Sequence, residues 1–212
     1  MAEHVTLVTP YAAPRQQRQA DFMGMYVFLG AEAMLFGGIF ALVFAYRVLH
    51  PQAVAEAARD MQLWIATANT GLLLTSSLLV AFAVHAARAG ARRAVAGWFA
   101  AAMVLGVAFL ALKGVEYWKD YSDGLMPLVG PQATVRTRPA ALFIDLYFIA
   151  TALHAVHMIG GLAALATVAV LVLRGAKRTP DQAIVVEMTG LYWHFVDVVW
   201  VFVFPLFYLA RG

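Results

Sequence analysis

Seven side chains could carry chemistry, or hold charge where water is scarce: Glu32, Asn69, Glu116, His154, His157, His194 and Asp197. His194 and Asp197 lie in the run Tyr192-Trp193-His194-Phe195-Val196-Asp197-Val198-Val199-Trp200, inside an apolar stretch from about Ile184 to Leu209. Such a stretch can cross a bilayer, which takes ~20 apolar residues. Ionisable groups at that depth are costly and are kept for function or for pairing. Three residues apart, the two lie on neighbouring faces of one helix. His154 and His157 repeat that spacing beside Gly160 and Gly161. With His194 they invite a metal or haem hypothesis. A b-type haem needs two histidines facing each other across a bundle, and zinc or copper needs three or four ligands. The competing reading, which we favour, is neutral histidines hydrogen-bonded to adjacent helices. Glu32, inside Phe28–Gly38, reads equally as a proton-linked or conformationally sensitive carboxyl and as a protonated glutamate bonded to a neighbouring helix.

The elements that must position these groups are helices in a membrane. The chain has 212 residues, 63% of them hydrophobic and 13% charged, with a mean hydropathy of +0.75. Soluble domains are usually about 45–50% apolar. The net charge of +3 suits basic loops beside a membrane and does not point to nucleic acid. There is no cysteine, which excludes disulfides, thiolate metal sites, covalent c-type haem and a two-cysteine copper centre. No cleavable signal peptide is expected: the first twenty residues lack an apolar core.

Five apolar segments, roughly Phe22–Tyr46, Leu63–Ala87, Val95–Leu112, Ala140–Leu173 and Ile184–Leu209, predict an all-α bundle of five transmembrane helices. A tail over residues 1–20 precedes a single domain over 21–212. The connection from Lys119 to Pro139, with Gly124, Pro127, Gly130 and Pro131, reads as a surface loop. Loop cations set orientation. Arg15, Arg18, Arg88, Arg92, Arg93, Arg174, Lys177 and Arg178 lie on one side. Arg47, Arg59, Lys113, Lys119, Arg136, Arg138 and Arg211 lie on the other. The short, almost purely basic second and fourth loops place the N-terminus in the cytoplasm and the C-terminus outside. Glu32, His154, His157 and His194 then share a layer from mid-membrane toward the cytoplasm. Asn69, Glu116 and Asp145 form a second layer nearer the outside.

Two further strings are informative. Trp64–Ser77 is rich in small and hydroxylated residues around Asn69-Thr70, which favours close helix packing. Gly114-Val115-Glu116-Tyr117-Trp118 ends the third segment, with Tyr117 and Trp118 read as interfacial anchors and Glu116 as solvated there.

Together these strings resemble subunit III of haem-copper terminal oxidases, the cytochrome c oxidase subunit III family, which includes the matching quinol oxidase subunits. The His154–Gly161 and Tyr192–Trp200 strings resemble it most specifically. Ala31-Glu32, Asn69-Thr70 and Glu116-Tyr117 match in part, the family having serine where this chain has Ala31. The resemblance spans all five segments, about residues 21 to 210. Longer members carry two further helices that form a lipid-filled cleft, and this chain begins at the third, as five-helix bacterial members do.

The resemblance implies a non-catalytic subunit of a proton-pumping oxidase in the aerobic respiratory chain. It would bind subunit I directly, with subunit II and the other subunits in the same complex, in a bacterial inner membrane. It would hold phospholipid and support proton uptake, with haem and copper in the partner subunits and none in this chain. The alternatives are a five-helix accessory subunit of nitric oxide reductase, a stand-alone proton-coupled transporter built on Glu32 and the histidines, and a bis-histidine b-type cytochrome. The glycines Gly37, Gly38, Gly160 and Gly161 are expected to allow close approach of a large partner.

Overall fold

The structure, a computed structural model, describes residues 14–59, 61–122, 137–175 and 181–210. Most of the N-terminal tail, the Gly/Pro-rich connection over 123–136, and the loop charges Arg136, Lys177, Arg178 and Arg211 lie outside the described residues.

Six helices follow in order: α1 (Pro14–Leu49), α2 (Pro51–Arg59), α3 (Leu63–Arg88), α4 (Arg92–Ser122), α5 (Arg138–Leu173) and α6 (Asp181–Tyr208). No strand occurs among the described residues. Five of the helices are long and apolar enough to cross a membrane, so the all-α, five-span architecture expected from the sequence is present. The sixth, α2, was not anticipated. It is too short to span and starts at Pro51, whose fixed φ and missing N–H suit a first helical position. Val54, Ala57 and Ala58 face inward, and α2 lies mainly against α5 and α1.

Two boundaries differ from the sequence reading. Helical structure begins at Pro14, within the stretch read as a tail. α4 runs on to Ser122 instead of stopping near Leu112. The charges that ended the segment on paper, Lys113, Glu116 and Asp120, are all buried. A buried Lys113 is not the loop cation that the sequence suggests.

Helices α3 to α6 form the core bundle, with α3–α4 and α3–α6 the most extensive contacts, while α1 packs on α5 and α6 from outside. Only 11% of the apolar window of α1 is buried, against 44% for α6. The tight turn between α3 and α4 is made at Gly90, whose φ of +73° suits a residue without Cβ. There the Gly90 N–H donates to Ala87 O at 3.0 Å and the Ala91 N–H to Ala86 O at 2.9 Å.

The small residues act differently from expectation. A Cβ at Gly161 would stand 3.0 Å from the Trp193 ring, and one at Gly106 would stand 2.9 Å from it. These two glycines therefore admit Trp193 of α6 between α4 and α5, inside this chain. Gly160 lies against the Tyr192 hydroxyl. Gly37 and Gly38 meet nothing within 4 Å and are the ones left free for an external contact. Gly106→Ala should therefore destabilise the bundle by about 1–3 kcal/mol, the usual penalty of overpacking. Gly37→Ala should leave the thermal midpoint of the purified protein unchanged. Equal midpoints for both variants would contradict this packing.

Candidate functional site

In hydrocarbon a polar side chain finds a partner within the bundle or carries a desolvation cost. Following those partners through the molecule gives several separate polar contacts rather than one convergent site.

The most extensive was not foreseen. Lys113 of α4 is 6% exposed and Glu116, one turn on, is 1% exposed. Lys113 Nζ donates to Glu116 Oε2 at 3.1 Å, to the Tyr147 hydroxyl of α5 at 2.8 Å and to the Tyr208 hydroxyl of α6 at 2.7 Å. Both phenols in turn donate to Glu116 Oε1, at 2.8 and 2.6 Å. All three ammonium hydrogens and both carboxylate oxygens are thus engaged. The rings of Tyr117, Tyr147, Trp200 and Tyr208 surround the ammonium at 4.8–5.4 Å, a cation–π cage. Asp120 stands near enough to act on the same charge. Glu116 is therefore not solvated at a helix end, as the sequence suggested, because Lys113 and two phenols from other helices enclose it.

Glu32 of α1 meets His157 of α5, with Nε2 2.9 Å from Glu32 Oε2, while Nδ1 lies 2.8 Å from Leu153 O. His194 of α6 meets Ser77 of α3, with Nδ1 2.5 Å from Oγ. Asp197 also stands beside Ser77, yet neither of its buried carboxyl oxygens has a hydrogen-bond partner among the described residues. The same is true of both His154 ring nitrogens and of the Asn69 amide. His154 is held by rings instead, its centroid 5.2 Å from Trp200 and 5.6 Å from Phe109.

The hydroxylated stretch of α3 serves packing, as read from the sequence. The Trp193 indole N–H donates to Ser76 Oγ and that of Trp200 to Thr70 Oγ1, each at 3.1 Å. Each hydroxyl donates onward to a carbonyl of its own helix. Tyr117 is not simply the interfacial anchor that the sequence suggests, because its hydroxyl bonds Thr151 at 2.6 Å. Trp118 beside it remains exposed.

His154, His157 and His194 thus do not share a site. His157 bonds Glu32 of α1 and His194 bonds Ser77 of α3, while His154 only packs against rings, and no group of three or more His, Cys, Asp or Glu among the described residues is placed to hold a metal ion. Sequence reasoning missed Lys113, Tyr147 and Tyr208. The available signal was Lys113 three residues before Glu116, a helix-neighbour ion pair. A groove of about 810 Å³ along Arg18, Phe22 and Tyr26 of α1 lies apart from these contacts.

A sequence profile described as Cytochrome c oxidase subunit III matches residues 16–211. A protein of Corynebacterium diphtheriae named cytochrome c oxidase subunit 3 is 34% identical over 192 residues, covering 89% of this chain and 87% of that one. Proteins of the same name from Bacillus sp. strain PS3 and Thermostichus vulcanus are 30% and 28% identical. They cover 98% and 95% of this chain and 96% and 94% of their own lengths.

Removing one member of a buried ion pair strands the other, at about 3–5 kcal/mol. Lys113→Met should therefore lower thermal stability strongly. Lys113→Met/Glu116→Gln should recover much of the loss, since no charge is left unpaired. A double variant as unstable as the sum of its singles, in thermal unfolding of the purified protein, would show the cluster not to be a coupled unit.

Proposed function

Because the chain belongs to the cytochrome c oxidase subunit III family, we propose that it is the non-catalytic third subunit of a proton-pumping haem-copper terminal oxidase. It is a multi-pass membrane protein of a respiratory-chain oxidase, and the reading places it in a bacterial inner membrane with its N-terminus in the cytoplasm. In this reading it packs directly against subunit I, alongside subunit II. It holds phospholipid on its outward apolar faces and supports proton uptake by the complex. The haem and copper belong to the partner subunits.

One observation carries the proposal. Several of the motif side chains matching the family join helices of this chain to each other: Glu32 to His157, His194 to Ser77, and Glu116 to Tyr147 and Tyr208. A subunit that works by shape and support needs such a rigid interior. Its outer surface suits apolar contact, because Met34, Phe44 and Leu49 of α1 and Trp64 and Leu74 of α3 point away from the bundle.

Purification through a tag on this chain, followed by mass spectrometry, should recover subunits I and II of an oxidase. Recovery of nitric oxide reductase subunits, or of this chain alone from native membranes, would overturn the assignment. His194→Ala separates support from chemistry. It removes the His194–Ser77 contact between α6 and α3, at about 1–3 kcal/mol. Assembled complex should fall while initial oxygen reduction per assembled complex stays near normal. Full assembly with collapsed initial turnover would contradict a supporting role.

A further inference from the structure

The contact between Glu32 and His157 fixes more than a distance. Leu153 O lies 2.8 Å from His157 Nδ1, and a carbonyl oxygen can only accept, so Nδ1 carries a hydrogen. On the other side of the ring, Nε2 and Glu32 Oε2 lie 2.9 Å apart. That gap has two bonded forms. Either a protonated Glu32 donates to a bare Nε2, or an Nε2–H donates to a Glu32 carboxylate. With no proton in the gap, two lone pairs would face each other and the contact would open.

The place of this contact gives it weight. Helix α1 has little buried surface, and it touches the core through few groups. Phe36 and Val43 supply its buried apolar side chains. Near its ends, Arg18 reaches Glu187 at 3.5 Å and Arg47 donates to Leu206 O at 3.3 Å. Glu32 lies between those two ties. Its side chain is 20% exposed and that of His157 13%, so the pair sits at the rim between α1 and α5. Phe36 places its ring edge-on at 5.1 Å from the imidazole, and the Tyr192 hydroxyl donates to His157 O at 3.2 Å. The titratable groups nearby, among the described residues, are Tyr192 on α6 and His154 one turn back on α5.

We propose that Glu32 and His157 hold a single proton between them, and that this shared proton is the central clasp fastening α1 to the bundle. The pair has zero net charge whichever partner holds the proton, which suits a site within the membrane span, where net charge is costly. Adding a second proton gives the pair a net positive charge. Removing the one it has leaves a net negative charge and no hydrogen bond. The site is a proton-binding site on α1 that doubles as its attachment.

The test uses the full-length chain purified with its associated subunits and labelled with 15N-histidine. His157 resonances are assigned by their loss in His157→Gln. Solid-state NMR should show Nδ1 protonated in the wild type. Glu32→Gln keeps a donor, because its amide N–H can reach a bare Nε2, whereas Glu32→Ala keeps none. Spin labels at cysteines replacing the outward-facing Met34 and Val156 read the attachment, with the unsubstituted complex as background. Glu32→Gln should keep the narrow wild-type distance between α1 and α5, and Glu32→Ala should lose it. An unprotonated Nδ1 would overturn the proposal. So would a Glu32→Gln distribution as broad as that of Glu32→Ala, or a Glu32→Ala distribution as narrow as wild type.

Discussion

Hydrocarbon offers no hydrogen bonds, and the arrangement of this bundle follows from that constraint. Lys113 shows how far it reaches. An ammonium at this place in α4 is admissible only if every hydrogen meets an acceptor and its charge meets a counter-charge. Glu116 supplies the charge from one turn away, and Tyr147 and Tyr208 supply acceptors from α5 and α6. Meeting the needs of one side chain therefore fixes three helices relative to one another. It also lets α4 continue through Lys113, Glu116 and Asp120 to Ser122, where hydropathy alone ends the segment.

The aromatic residues obey the same constraint by another route. An indole carries a large apolar body and one N–H that must be satisfied when buried. Trp193 and Trp200 are both fully buried, and both N–H groups end on hydroxyls of α3. The ring of Trp193 needs room, which Gly106 and Gly161 provide. The ring of Trp200 lies against Phe109, His154 and the Lys113 ammonium. The string around His194 thus supplies the wedges of the core as well as its polar groups.

What the sequence made legible was whatever depends on one helix at a time. Apolar length placed all five spans, and the small and hydroxylated residues of α3 pointed to packing. What it hid depends on two helices meeting. Glu116 beside a helix end looks solvated until Tyr147 and Tyr208 close over it. Gly161 next to Gly160 looks available to a partner until Trp193 is seen against it. Glu32 has no cation near it along α1, yet His157 arrives from α5, 125 residues away. The short amphipathic α2 escaped because a search for spanning length passes over nine residues.

The separateness of the polar contacts is itself informative about function. Groups that carry out one reaction must converge on the reacting atoms, and they fail together when any one is removed. Here Glu32–His157 joins α1 to α5, His194–Ser77 joins α6 to α3, and the Lys113 cluster joins α4, α5 and α6. No side chain belongs to two of these contacts, and each fixes a different pair or trio of helices. Effects at sites that share no partner add rather than couple. Such a set distributes rigidity over the whole bundle and leaves its outer faces apolar. That is what a protein needs when its work is to hold a neighbouring subunit and the lipids around it in place.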